Sequence, residues 1–464
     1  MSLVKYIKAL ENNEITPKQL VEVSIEKIKN NDAIINAVVE PRFEKALLEA
    51  DQDFTNTVFK GIPILIKAIG QDLKGEASTG ASNLLAKNIA LKTDNFVQKI
   101  IDLGFIIIGQ SNSPEFAFKN ISDSRLYGDV RSPLDLSKTP GGSSGGAAAA
   151  LLANYVPIVA ASDGGGSIRI PASYGGLVGL KPTRGSMPTG PNSYRGWQGA
   201  SMNFFLTKTI EDSELMFNLF KTNTIQSPFN YVALNDKKPK RLKIAYSLKS
   251  PVNSQVSIDA KQAINETIEK LKQLGHLVEE VTPQYDGFKL MESYYLVNGV
   301  ETAAMIQQIE KLSKKEIVID DIELVSWVLY QYGLSIKGYE VVSALNYWDK
   351  VSETMHEFLE DYDLFLTPTT AKTAPKYNET YQSETLLRKM KNIENLDDKY
   401  TIVWKMFEES LAYTPYTMLA NITGQPAISL PLFKNEANEH LGVQFMAKKG
   451  EENLLFQISK QLLK

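Results

Sequence analysis

The chain has 464 residues, with 50 lysines and arginines against 54 aspartates and glutamates, and a formal net charge of −4. That balance leaves no basic footprint for nucleic acid. The length fits two or three domains or one large α/β unit. There is no cysteine, which excludes disulfides, thiolate nucleophiles and cysteine-ligated zinc and makes a cytoplasmic protein the simpler expectation. The opening "MSLVKYIKALENNEITPKQL" holds no continuous apolar run, so no signal peptide is expected. The longest apolar stretch, Ala147 to Ala161, is broken by Asn154 and Pro157 and is too short to span a bilayer.

The first clear helix opens at "TPKQL". Thr16 can cap it, Pro17 suits its first turn, and Gln19 completes a capping box. Leu20, Val21, Ser24, Ile25 and Ile28 then mark one face at helical spacing, with Ser24 its one polar member. "INAVVE" reads as a short strand and "FEKALLEADQDF" as a helix. "KGIPILIKAIGQ" is an apolar run of strand length that contains Lys67. "DNFVQKIIDLG" is a helix closed by Gly104, and "FIIIGQS" lacks polar alternation, as a strand buried on both faces does. "GGAAAALLANY" is a small-residue helix and "VPIVAAS" a strand.

The chain turns polar from about 223 to 238. It resumes with the strand "RLKIAYS", the amphipathic helix "DAKQAINETIEKLKQLG" and the strand "HLVEEV". Residues 286–360 read mostly as helix. "DYDLFLTPTTAKTAPKY" is a strand running into a loop, and 376–400 reads as a polar, mobile segment. Two late strands, in "NITGQPAISLPL" and "LGVQFMAKKG", precede a closing helix in "EENLLFQISKQLLK". Helices alternating with apolar runs predict a large mixed sheet covered by helices.

The densest chemistry lies between Thr139 and Ser173, "TPGGSSGGAAAALLANYVPIVAASDGGGSIRIPAS". A flexible linker would contain "GGSSGG", yet this one is followed by an apolar helix and a buried strand. A phosphate loop needs a lysine after its glycines, and none follows. The dinucleotide fingerprint fails because Arg169 stands where its last glycine belongs. The nucleophile elbow G-x-S-x-G matches twice, around Ser143 and Ser144. It calls for a strand before the serine and a late histidine. Of the three histidines, His276, His356 and His440, only His440 comes late, in a polar stretch that reads as an exposed loop. A serine nucleophile with a lysine base is the remaining arrangement. It requires a neutral lysine, and the apolar setting of Lys67 supplies the desolvation that lowers a lysine pKa. The competing reading of Lys67 is a strand-edge side chain reaching for solvent.

"PGGSSGG", "SDGGGSIRIPAS" and "GLVGLKPTRG" together resemble the amidase signature family. The similarity extends over most of the chain through "GIPILIK", "GQSNSPEF", "DLFLTPTTAKTAP" and "NITGQPAISLPL" with "GVQF". The resemblance implies an α/β fold: a single domain over 1–464 whose large mixed β-sheet core is covered by helices on both faces. Its catalytic core would span about 60–215, and a variable, substrate-side helical region about 286–360. It implies a lysine, a serine in a cis peptide and a nucleophilic serine. These fall on Lys67, Ser143 and Ser167. The N–H groups of Gly164, Gly165 and Gly166, with that of Ser167, are then placed for an oxyanion. Ser144, Asp163 and Arg169 are read as support.

Three departures stand out. Ala68 follows Lys67 where the family usually has aspartate. Gln110 stands where a lysine is common. "PLFKNEANEHLGVQF" replaces a glycine-rich turn. The implied activity is hydrolysis of a small amide with no cofactor, metal, nucleic acid or membrane, and with room for a homodimer. "SDGGGSIRIPAS" is closer to stand-alone amidases, while the A subunit of the tRNA-dependent amidotransferase, which releases ammonia from glutamine, is the alternative. A catalytically silent binding protein on the same fold is a third reading. Tyr294, Tyr295, Trp327, Tyr330 and Tyr332 are candidates for an apolar pocket, each competing with a place in the core of the helical layer.

Overall fold

The computed structural model describes residues 2–234 and 241–464. The polar stretch expected at 223–238 therefore lies partly outside the described residues. The strands are β1 (Val38–Val39), β2 (Ile62–Lys67), β3 (Phe105–Ser111), β4 (Val159–Asp163), β5 (Val178–Lys181) and β6 (Met202–Thr207), followed by β7 (Lys243–Tyr246), β8 (Leu277–Glu280), β9 (Leu364–Pro368), β10 (Ala427–Lys434) and β11 (His440–Met446). They form one sheet in the order β1-β3-β2-β4-β6-β5-β10-β11-β9-β7-β8. β2 runs parallel to β3 and β4, and β7 parallel to β8 and β9, while the remaining pairings are antiparallel. The sheet is mixed and the fold class α/β.

Every residue of β2 and β3 is buried. Successive strand side chains point to opposite faces, so both faces of this part of the sheet are covered. Helix Pro17–Ile35 packs on β2, and its contact face is the expected one: Leu20, Val21, Ser24, Ile25 and Ile28 are all buried. Its capping box is formed, with Thr16 Oγ1 accepting from the Gln19 N–H and Gln19 Oε1 accepting from the Thr16 N–H. The helices Gly287–Ser313, Leu324–Ser335 and Gly338–Asp361 enclose a second buried apolar cluster, to which Lys399–Tyr413 contributes Ile402, Val403 and Met406.

The segment 376–400 is not uniformly irregular. Helix Glu384–Lys391 lies within it, capped by Ser383 Oγ accepting from the Leu386 N–H and anchored by buried Met390. High polarity masked this helix because it buries only one side chain. His440 is the first residue of β11 and half-buried, not part of an exposed loop.

Lys67 ends β2 and Asp163 ends β4, and these strands are parallel neighbours. Their C-terminal ends therefore open at the same edge of the sheet. Helix Gly145–Leu152 starts there as well, directly after Ser143 and Ser144. Its entry is tight. A Cβ on Gly142 would come within 2.5 Å of the Ile121 backbone, and one on Gly146 would strike the Asn112 backbone. The glycines of "GGSSGG" thus let three backbone segments meet at the serines, which a flexible linker would not require.

Candidate active site

Lys67 is 1% exposed. Its Nζ lies 2.7 Å from Ser143 Oγ and 3.0 Å from Ser162 Oγ. Burial pushes its pKa from the ordinary 10.5 down to about 7, against the counter-pull of the Asp163 carboxylate. Its backbone N–H is held by Gln71 Oε1 at 2.7 Å, and Gln71 Nε2 donates in turn to the Ala161 carbonyl at 2.9 Å. The lysine does not snorkel to water. It is locked between β2 and β4 with two hydroxyls at its tip.

Ser143 follows a cis peptide bond from Gly142. Its carbonyl accepts from Ser122 Oγ at 3.2 Å, and Ser122 Oγ accepts from the Gly145 N–H at 2.9 Å. Ser144 Oγ donates to the Ser162 carbonyl at 3.1 Å, turned away from Lys67 and towards the β4 backbone. Ser143, Ser162, Gly164, Gly165 and Ser167 line one cavity of about 340 Å³.

Asp163 and Arg169 form a fully buried ion pair with two contacts, Arg169 Nη2 to Asp163 Oδ1 at 2.8 Å and Nε to Oδ2 at 3.0 Å. Burial works against the Asp163 charge, but Arg169 and the Asn421 amide outweigh it and hold its pKa at about 2. The same carboxylate accepts the N–H groups of Gly166 at 2.8 Å and Ile168 at 3.1 Å. Arg169 also donates to the Thr417 carbonyl, Gln444 and Asn421. This network fixes the glycine loop from beneath.

Two side chains fix it from above. Tyr294 Oη donates to the Gly164 carbonyl at 3.1 Å, and Thr417 Oγ1 donates to the Gly165 carbonyl at 2.6 Å. Gly166 corrects the sequence reading. Its N–H is spent on Asp163, and it does not line the cavity, whereas Gly164 and Gly165 do.

No histidine lines the cavity. His276 binds the Leu242 N–H and Gln461, while His356 faces Glu360 on the surface. His440 pairs with Lys434 across β10 and β11. Among the described residues, no group of three or more histidine, aspartate or glutamate side chains is arranged to hold a metal ion, and no helix is long and apolar enough to cross a membrane.

The family model named Amidase matches residues 19–456. The chain belongs to the amidase family. That membership places it among hydrolases of amide carbon–nitrogen bonds. This amidase is 36% identical over 453 residues to a lipoamidase from Enterococcus faecalis; the match covers 97% of the chain, which spans only 61% of that relative's length. It is 28% identical over 472 residues to a 6-aminohexanoate-cyclic-dimer hydrolase from Paenarthrobacter ureafaciens, with 98% of this chain and 92% of that one covered. A solved 6-aminohexanoate cyclic dimer hydrolase complexed with substrate superposes with a TM-score of 0.90 at 25% identity, covering 100% of this chain and 96% of that one.

Sequence reasoning missed Ser162, Gln71, Thr417 and Asn421. Ser162 had a signal, since it closes the apolar run "VPIVAAS" beside the glycine cluster. Thr417 and Asn421 lie some 250 residues from the loop they hold (|i−j| of 252 and 258) and carry no local signature. All five aromatic residues read as pocket candidates belong to the buried helical cluster, and of them Tyr294 and Tyr295 also line the cavity.

Proposed function

We propose that this amidase hydrolyses a small carboxylic amide through an acyl-enzyme on Ser167, with Ser143 as proton relay and Lys67 as base. The observation that carries the reading is the 2.7 Å contact between a desolvated lysine and Ser143, on a wall shared with Ser167. Neutral Lys67 takes the Ser143 proton, Ser143 takes that of Ser167, and Ser167 Oγ attacks the carbonyl carbon. The oxyanion faces the N–H groups of Gly164, Gly165 and Ser167. The Gly166 N–H is left out because it already donates to Asp163. As the C–N bond breaks, Ser143 returns a proton to the departing nitrogen. Water then attacks the ester, giving a proton to the same relay, and releases the acid with Ser167 restored.

The cavity favours an apolar acyl or amine arm. Trp197 stacks on Phe118 with centroids 5.9 Å apart, and Tyr295 stacks on Phe407 at 4.9 Å; all four line it. Such walls suit a stand-alone amidase better than a subunit that takes glutamine, a small polar substrate. The test is the purified chain assayed on a panel of amides that includes glutamine, with a fluorophosphonate probe in parallel. Hydrolysis and labelling, both lost in Ser167→Ala, are expected. Turnover of glutamine alone, and only with added amidotransferase subunits, would transfer the chain to the alternative role. No labelling and no hydrolysis would leave the silent fold.

A further inference from the structure

Among the described residues, the parallel strands β2 and β4 pair at a single point, Leu65 with Val159. Carried two residues further, that register sets Lys67 beside Ala161, beyond the pairing. The link at this point is made by a side chain. Gln71 Oε1 accepts from the Lys67 N–H at 2.7 Å, and Gln71 Nε2 donates to the Ala161 carbonyl at 2.9 Å. One amide stands in for a rung of the ladder, and its length sets how far apart the two strand ends lie. The chain turns back to this point at Gly70, whose φ of +70° suits glycine. The neighbouring strand β6 completes the fixture. Asn203, paired with Ser162 across β4 and β6, accepts from Gln71 Nε2 at 3.2 Å and donates to the Gly70 carbonyl at 3.2 Å. Both protons of the buried Gln71 amide are thereby used.

We infer that Gln71 is a positioning residue for the amidase reaction: its amide spaces the ends of β2 and β4 so that Lys67 Nζ meets the hydroxyls of both Ser143 and Ser162. This rests on the reading of Lys67 as the base. Ser162 lies on β4 and Lys67 on β2, so the spacing of these strands fixes their contact. Without the amide, the Lys67 N–H and the Ala161 carbonyl lose their partners. The strand ends do not close up to replace them, because β2 is held on its outer edge by β3 and β4 by β6. Water takes the vacated polar place. It leaves the spacing loose and relieves the desolvation of Lys67, whose one acting charge, Asp163 on β4, is already engaged by Arg169.

The test follows fluorophosphonate labelling of Ser167 against pH, from below to above 7, and separates kinact from KI. In Gln71→Ala, kinact should fall by about tenfold or more, the scale for a misplaced reacting group, with KI little changed. The acid limb of the profile should move to higher pH. Asn203→Leu, which frees the amide to swing, should show a smaller loss of kinact with a shift in the same direction. Wild-type kinact and an unmoved acid limb in Gln71→Ala, with only the thermal midpoint lowered, would overturn the inference and leave Gln71 as a tie between strands. Where Gln71→Ala does not fold, Asn203→Leu decides on the same two readings. Failure of the Lys67 reading shows separately, as labelling of Lys67→Ala at the wild-type rate. An unmodified enzyme that takes no label would remove the reaction and the inference with it.

Discussion

Lys67 Nζ stands 2.7 Å from Ser143 Oγ, and Ala68 follows it in the chain. Its tip therefore meets hydroxyls, and the charge that acts on it is the Asp163 carboxylate, already engaged by Arg169. Desolvation wins, and the amine is free to take a proton near neutrality. Activity should rise with pH through about 7 and be lost as pH falls through it. A profile of kcat/KM against pH on one neutral amide checks this. The same shift affects stability with a definite sign. Between about 7 and 10.5 the unfolded chain binds the Lys67 proton and the folded chain does not. Stability relative to Lys67→Met should therefore rise with pH across that window, as read by denaturant titration of both proteins.

Lys67→Ala should cost several decades in kcat, since it removes the proton sink of the relay. His440→Ala should change kcat little. The His440 ring lies against Gly176, where an added Cβ would come within 2.6 Å of it, and not against either serine. Parallel assays of both variants decide the matter, and an inactive His440→Ala beside an active Lys67→Ala would restore a histidine mechanism.

Ser162→Ala removes an acceptor that favours the charged form of Lys67. The acid limb of the pH profile should move to lower pH, with a drop in kcat of about tenfold for the lost positioning bond. A profile that kept its midpoint would leave Ser162 as packing only.

Much of the candidate site and of the fold around it was legible in the sequence because its signals are local. The apolar run around Lys67, the glycines beside Ser143 and Ser167, and the capping box at Thr16 each depend on neighbours a few residues away. What was not legible comes from the far end of the chain. Tyr294, Thr417 and Asn421 reach the glycine loop only once the helical layer closes over the sheet. Gly166 shows the limit within the motif itself. Three consecutive glycines look equivalent as donors, but the Asp163 carboxylate takes the N–H of the third. The same limit hid β5 and β6, whose short apolar runs become strands by pairing with each other and with β10 and β4.

Gly165→Ala should abolish turnover while leaving the fold intact. The new Cβ would come within 2.5 Å of Tyr294 Oη, the group that holds the Gly164 carbonyl, so the loop or the tyrosine must shift. A shift of this kind misaims the N–H groups proposed to meet the oxyanion, for which one lost donor costs about two to three decades. Near-wild-type kcat with an unchanged thermal midpoint would show that the loop does not serve that purpose.

The Asp163–Arg169 pair is the structural keystone beneath the loop, and its energetics differ from those of a surface bridge. Both side chains are fully buried, so removing one partner strands the other in low dielectric. Arg169→Met should destabilise the protein by about 3–5 kcal/mol. Asp163→Asn combined with Arg169→Met should recover part of that loss, because no buried charge is left unpaired, although the Gly166 and Ile168 N–H groups then face a weaker acceptor. With its pKa held at about 2, Asp163 contributes stability that is present above the ordinary carboxylate range and is lost only as pH falls through about 2. Denaturant titrations of the wild type, the single and the double variant at neutral pH and at pH values down to about 2 measure all of these terms. A double variant no more stable than Arg169→Met would show that the geometry of the carboxylate, and not its charge, holds the loop.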